Sequence, residues 1–196
     1  MHQHGNREAA TFWAGCGAVR RAPFAELGGF DEGTFSRAIE DIEFGYRLRR
    51  AGHRILLDKD LLGTHLKAWT FVSLLRTDIL VRAIPWSRLI VAGWGAPNDL
   101  NLGMGQRVTA GLVLLALTCL ALAPFRTIFV VPAAGALLGV IGLNRELYGF
   151  FLRQRGARFT AVAIPLHLLY HVYSSLSYLA VWLDMRVRRC ARRNGA

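Results

Sequence analysis

At 196 residues the chain has room for one domain and a membrane anchor, but not for two full domains. Hydrophobic residues make up 53% and charged residues 19%; this apolar surplus lies in blocks after residue 107, which favours membrane segments over one enlarged core. The net charge of +11 comes largely from arginines flanking those blocks, where they meet anionic lipid headgroups, and no recognition-fold signature accompanies it, so nucleic acid is not an expected partner.

The opening residues Met1-His2-Gln3-His4-Gly5 lack the apolar stretch of a signal peptide, so the first half is expected to stay on the cytoplasmic side. Thr11-Phe12-Trp13-Ala14-Gly15 reads as a short strand entering a turn of small residues. Val19 to Leu27 suits a short helix with Pro23 near its first turn, and Gly28-Gly29 ends it, because glycine accepts backbone angles that stop a helix. From Asp41 to Ala51 the apolar positions Phe44, Leu48 and Ala51 share one helical face, and Gly52 stands where a helix C-terminal glycine belongs. Arg54 to Asp58 and Leu61 to His65 read as extended pieces. The spacing of Cys16, Cys119 and Cys190 fits neither a zinc site nor a disulfide framework.

Residues 71–105 form a juxtamembrane segment. Val72, Leu75, Ile79 and Ala83 share a helical face, with Arg76, Asp78 and Arg82 interspersed. Trp86, Arg88 and Trp94 suit a helix lying on a membrane surface; the other reading is a surface helix of the soluble part. Residues 106–184 then hold three uncharged blocks, two of 18 residues (about 108–125 and 127–144) and one of 25 (about 159–183). Eighteen helical residues span roughly 27 Å, close to the hydrocarbon thickness, so three transmembrane helices are expected, the first two turning at Pro124-Phe125-Arg126. After two crossings the basic 144–158 loop is cytoplasmic, as the positive-inside rule requires. A third crossing would put the basic 185–196 tail outside, so the third block either crosses against the rule or re-enters. His167 and His171 mimic metal-ligand spacing, but without a third ligand their expected role is polar helix packing.

The residues that can carry chemistry begin at Glu40-Asp41. An acid at a helix N-terminus sits in the positive end of the helix dipole, where negative charge is favoured. A carboxylate there that is free of protein amides, within reach of a hydroxyl, can act as general base; the plain alternative is a helix cap.

Four segments in order carry a more specific signal: Phe12-Trp13-Ala14-Gly15-Cys16-Gly17-Ala18-Val19-Arg20-Arg21, Gly28-Gly29-Phe30-Asp31-Glu32, Glu40-Asp41-Ile42-Glu43-Phe44-Gly45-Tyr46-Arg47-Leu48 and Gly63-Thr64-His65-Leu66-Lys67-Ala68-Trp69. Over residues 10 to 70 this resembles the second half of a family 2 glycosyltransferase catalytic domain. Leu147-Tyr148-Gly149-Phe150-Phe151 and Pro165-Leu166-His167-Leu168-Leu169-Tyr170 look like the anchor of membrane-bound bacterial members. The resemblance implies an α/β fold for residues 1–70, the C-terminal, acceptor-side half of a GT-A domain, followed by a helical transmembrane region. It also implies a nucleotide-sugar donor, a lipid-linked or glycan acceptor of the cell-envelope kind, and Mg²⁺ or Mn²⁺.

Position by position, Asp41 would be the base, Glu40 would shape the acceptor site, and Gly15 and Gly17 would let backbone approach the substrate. His65 would ligate the metal or contact the diphosphate, and Lys67 and Trp69 would lie near the leaving group. One base with no partnered nucleophile implies inversion. The family's nucleotide-binding half carries an Asp-x-Asp metal site, and none precedes Gly15. The chain is therefore expected to be the C-terminal part of a larger protein, inactive alone. The rival reading is a non-catalytic membrane anchor or partner subunit that keeps the pattern.

Overall fold

The structure is a computed structural model; it describes residues 7–9, 11–31, 33, 39–61, 63–64, 66–94 and 102–194, without the side chains of 192–194. The chain divides into two compact units, one of residues 1–99 with 177–196 and one of residues 100–176.

The first unit is organised around two short helices, α1 (Arg21–Glu26) and α2 (Glu40–Arg50). Each ends where the sequence places a glycine, and for the same reason. At the end of α1, Gly28 and Gly29 have φ of 75° and 68°, and their amides bond back to Ala25 O at 3.1 Å and Phe24 O at 2.9 Å. At the end of α2, Gly52 has φ of 84°, and the amides of Gly52 and His53 bond back to Arg49 O and Leu48 O. Left-handed backbone of this kind satisfies the last carbonyls of a helix and is open to glycine at little cost.

Between α1 and α2 sits a core of four phenylalanines. Phe44 meets Phe12, Phe24 and Phe30 with ring centroids 5.9, 5.3 and 5.3 Å away, all edge-on, and Leu48 completes the buried cluster. Edge-to-face contacts add stability beyond simple area burial. Gly45 lies beside this cluster, and a Cβ there would collide with Phe12 N and lie 3.0 Å from Thr11 Cα. Its missing side chain lets the Thr11–Phe12 backbone lie against α2.

The α/β expectation is corrected by the secondary structure. Of the described residues 76% are helical, and the strands β1 (Glu8–Ala9) and β2 (Ile55–Leu56) have two residues each. They pair antiparallel, Glu8 opposite Leu56 and Ala9 opposite Ile55, and no other strand joins them among the described residues. A strand lasts only where a neighbour offers its N–H and C=O groups, and β2 finds them in β1 alone. The expected strand at Thr11–Gly15 is instead loop running into a 3₁₀ turn at Ala14–Cys16. Among the described residues, half of a GT-A sheet is therefore not formed.

Residues 71–94 continue the first unit as α3 (Phe71–Arg76), a π-helical stretch Thr77–Ala83, α4 (Ile84–Leu89) and a second π-helical stretch Ile90–Trp94. Thr70 and Ser73 cap the start reciprocally, each side chain accepting the other's amide. Wider π turns rotate the helix face. Leu75, Ile79 and Ala83 are half-buried while Val72, expected on the same face, points out. Trp86, expected at a lipid interface, donates its indole N–H to Tyr46 Oη at 3.0 Å, and it packs with Trp94 on the Ile39, Tyr46 and Leu89 cluster.

The second unit opens with α5 (Met104–Leu122) and α6 (Val130–Leu143), an antiparallel hairpin. Their buried residues are small or β-branched: Val113, Ala116 and Cys119 on α5, Ala133, Ala136 and Val140 on α6. Small side chains let helices approach closely where no hydrophobic effect drives them together. Asn144 ties the open end, donating to Thr109 Oγ1 at 3.0 Å and accepting from Gln106 at 3.3 Å. Next comes α7 (Arg145–Asn194), broken at Gly156 with φ of 78°, so the basic loop expected at 144–158 is helical through residue 155.

Among the described residues two helices are long and apolar enough to cross a membrane, α5 and the 145–191 part of α7, and only 22% and 11% of their apolar windows are buried. Core helices of a soluble protein would be mostly covered, so low burial supports membrane association. The middle expected span is shorter, since α6 has 14 residues and rises roughly 21 Å.

Gly45→Ala is expected to destabilise the first unit by about 2 kcal/mol or more, because the Thr11–Phe12 backbone must move. Gly15→Ala, where an added Cβ meets nothing within 4 Å, should change little. Hydrogen exchange of the α2 amides in the two variants compares them directly.

Candidate functional site

Helix α2 carries Glu40, Asp41 and Glu43 in its first turn and Arg47, Arg49 and Arg50 in its last, matching both ends of the helix dipole. Asp41 Oδ2 accepts the amide of Ala14 at 3.0 Å, and Oδ1 accepts the amide of Ile42 at 2.8 Å. The expectation of a carboxylate free of protein amides is corrected here. A helix start exposes amides without intrahelical partners, and the 3₁₀ turn brings another. Asp41 nonetheless stays half-buried rather than enclosed. A carboxylate has about four lone-pair positions, so two amides leave it room to accept a hydroxyl.

Two features beside Asp41 were not legible in the sequence. Ile39, the N-cap of α2, has φ of 67° although it is β-branched and 4% exposed. Such a residue is a backbone outlier costing on the order of 1–3 kcal/mol, held here by the cluster of Ile39 with Tyr46 and Leu89. Glu40 Oε2 is buried without a hydrogen-bond partner among the described residues, an unpaired acceptor that costs stability.

The first-motif glycines differ. A Cβ at Gly17 would lie 2.7 Å from Trp13 O and 2.9 Å from the Phe12 ring, so the turn requires glycine there; Gly15 has open space around it. A Cβ at Gly63 would lie 3.8 Å from Cys16 Sγ, so the fourth motif runs beside the 3₁₀ turn. Asp41, Ala14–Cys16 and Gly63 are thus gathered from three of the four segments.

Lys67 places its ammonium 4.1 Å from the centre of the Trp69 ring, and Arg82 approaches that ring at 5.9 Å. Both Lys67 and Trp69 are exposed. His65 lies outside the described residues, and so does Glu32. No three His, Cys, Asp or Glu side chains come together as a metal site among the described residues. The ligand that the resemblance implies for Mg²⁺ or Mn²⁺, His65, is not in that set.

An open recess of about 520 Å³ lies on the other side of α2, lined by Leu27, Gly28, Phe30, Asp31, Glu43, Arg47 and Trp94; Asp41 is not part of it. In the second unit, Tyr148 Oη sits 2.8 Å from His167 Nδ1, and His167 Nε2 sits 3.2 Å from His171 Nε2. That chain of three is the polar packing expected of the histidine pair.

Compared with known proteins, the chain matches no family model, no curated protein and no solved structure. The chemistry of its site rests on its own residues.

Replacing Asp41 by Ala removes the acceptor for Ala14 N–H. Exchange of that amide should quicken by about tenfold, the effect of losing a bond to a charged group. Asp41→Asn, which keeps one carbonyl oxygen, should quicken it less; site-resolved hydrogen exchange reads both.

Proposed function

We propose that the chain is a membrane-bound glycosyltransferase of family 2 type. It passes a sugar from a nucleotide-sugar donor to the hydroxyl of a lipid-linked or glycan acceptor, with its first unit on the cytoplasmic side of a multi-pass membrane region. The observation that carries this reading is the hydrogen bond from Ala14 N–H to Asp41 Oδ2, which joins two motifs 27 residues apart and keeps Asp41 at the surface. The nearness of Gly63 to Cys16 supports the same site.

On this reading Asp41 takes the proton of the acceptor hydroxyl as that oxygen bonds to the anomeric carbon, while the bond to the nucleoside diphosphate breaks. Glu40 orients the hydroxyl by accepting from it or a neighbour. The backbone of Ala14–Cys16 holds Asp41 in a fixed direction, which limits the reorganisation needed at the moment of transfer. Lys67, steadied over Trp69, offers positive charge to the departing diphosphate. With a single base and no second nucleophile, configuration inverts.

The two amides on Asp41 favour a second reading, in which it is only a helix cap and the chain is a non-catalytic anchor or partner subunit. Membranes from native cells carrying Asp41→Asn separate the two. Loss of at least about 100-fold in sugar transfer, with the α2 amides still protected, is expected of a general base. Unchanged transfer assigns Asp41 to the cap and removes the enzyme reading.

A further inference from the structure

The helix of residues 71–94 turns one side to α2, accepts a bond at Val91 O from Arg189 at 3.5 Å, and leaves an outer stripe exposed. Its inner side is committed: Trp86 bonds Tyr46, and Trp94 lies under Arg50 with the guanidinium 4.3 Å from its ring centre. On the outer side Val72, Arg76 and Leu80 follow one another every four residues and are all exposed. Leu66, Phe71, Val72 and Leu80 are 91%, 54%, 73% and 55% exposed, an unusual display of large apolar side chains in a packed unit.

The charges beside them are of one sign. Lys67, Arg76, Arg82 and Arg88 are exposed, whereas the acid of this stretch, Asp78, is mostly covered and is bonded by Arg82 at 3.1 Å. The first helix able to cross a membrane, α5, begins at Met104, ten residues after Trp94.

We propose that the outer stripe Val72–Arg76–Leu80, with Leu66, Phe71 and Arg88, rests on an anionic bilayer surface. The apolar side chains enter the headgroup boundary, and the cations meet lipid phosphates or carboxylates. A second copy of the chain fits the face poorly, since it would set the same cations against each other. The assignment reverses the simplest reading of the tryptophans. Trp86 and Trp94 belong to the protein interior side, and the lipid contact falls on the Val72–Arg76–Leu80 stripe instead. It rests on the membrane-bound part of the proposed function and deepens it, because it sets the first unit's site beside the leaflet from which a lipid-linked acceptor would come.

Spin labels at Val72→Cys and Leu80→Cys test this in the full chain held in nanodiscs, with Cys16 and Cys190 replaced by Ser and Cys119 by Ala. Ala51→Cys, at the exposed end of α2, serves as the aqueous reference. With anionic lipid, both stripe labels should be reached by oxygen and be about fivefold less accessible than the reference to a soluble nickel complex, and the shielding should weaken in zwitterionic lipid or in Arg76→Gln/Arg88→Gln. Nickel access equal to that at position 51 overturns the proposal, as does shielding from oxygen and nickel alike, which would mean a protein covers the face. Shielding that ignores lipid charge overturns the anionic assignment. Failure of the catalytic reading shows separately, as Asp41→Asn membranes that still transfer sugar while the labels stay shielded.

Discussion

The buried carboxylate of Glu43 constrains the first unit more than any other group. It is 2% exposed, and an unpaired charge at that depth would cost several kcal/mol. Arg47, one turn on, meets it in bidentate fashion at 2.7 and 2.8 Å. The same guanidinium donates to the carbonyls of Leu27 and Gly29, the turn that ends α1. One ion pair thereby fixes the separation and angle of α1 and α2. Its geometry is of the kind in which a planar fork binds two oxygens on one side and backbone on the other.

From that clamp the rest of the unit follows in steps. With the Gly28–Gly29 turn held, Phe24 and Phe30 come to lie on Phe44, and Phe12 closes the cluster. Phe12 can reach its place because Gly45 gives way to its backbone. The chain leaving Phe12 then delivers Ala14 to Asp41. The candidate base is positioned by a core, not by a loop, and the strained Ile39 beside it is tolerated because that core and the Tyr46–Leu89 cluster outweigh it.

Much of this was legible before any coordinates. The α2 helix, its acidic start, its glycine stop and the glycine break after α1 all follow from local backbone chemistry, which needs no knowledge of distant residues. The carboxylate pair was legible too, and so were the apolar blocks, though α6 proves shorter than its uncharged run because a 3₁₀ turn at Thr127–Phe129 consumes its start. What could not be read depended on partners far along the chain. The expected strand at 11–15 needed a sheet to join, and the described residues supply only Glu8–Ala9 with Ile55–Leu56. One of the two amides on Asp41 comes from 27 residues away. Trp86 carried an interfacial signature but found Tyr46, 40 residues back, as its hydrogen-bond acceptor. Gly45 was overlooked because it sits inside a helix, where glycine normally only weakens; the close approach it permits is a tertiary fact.

A double-mutant cycle on Glu43→Gln and Arg47→Met tests the clamp most directly, with the free energy of opening of the first unit read from hydrogen exchange of the α2 amides in the full chain. If the pair holds α1 on α2, each single change loses about 3 kcal/mol and the double change loses far less than their sum. Single losses below about 1 kcal/mol that simply add would contradict it, since the two side chains would then be neighbours without being a lock.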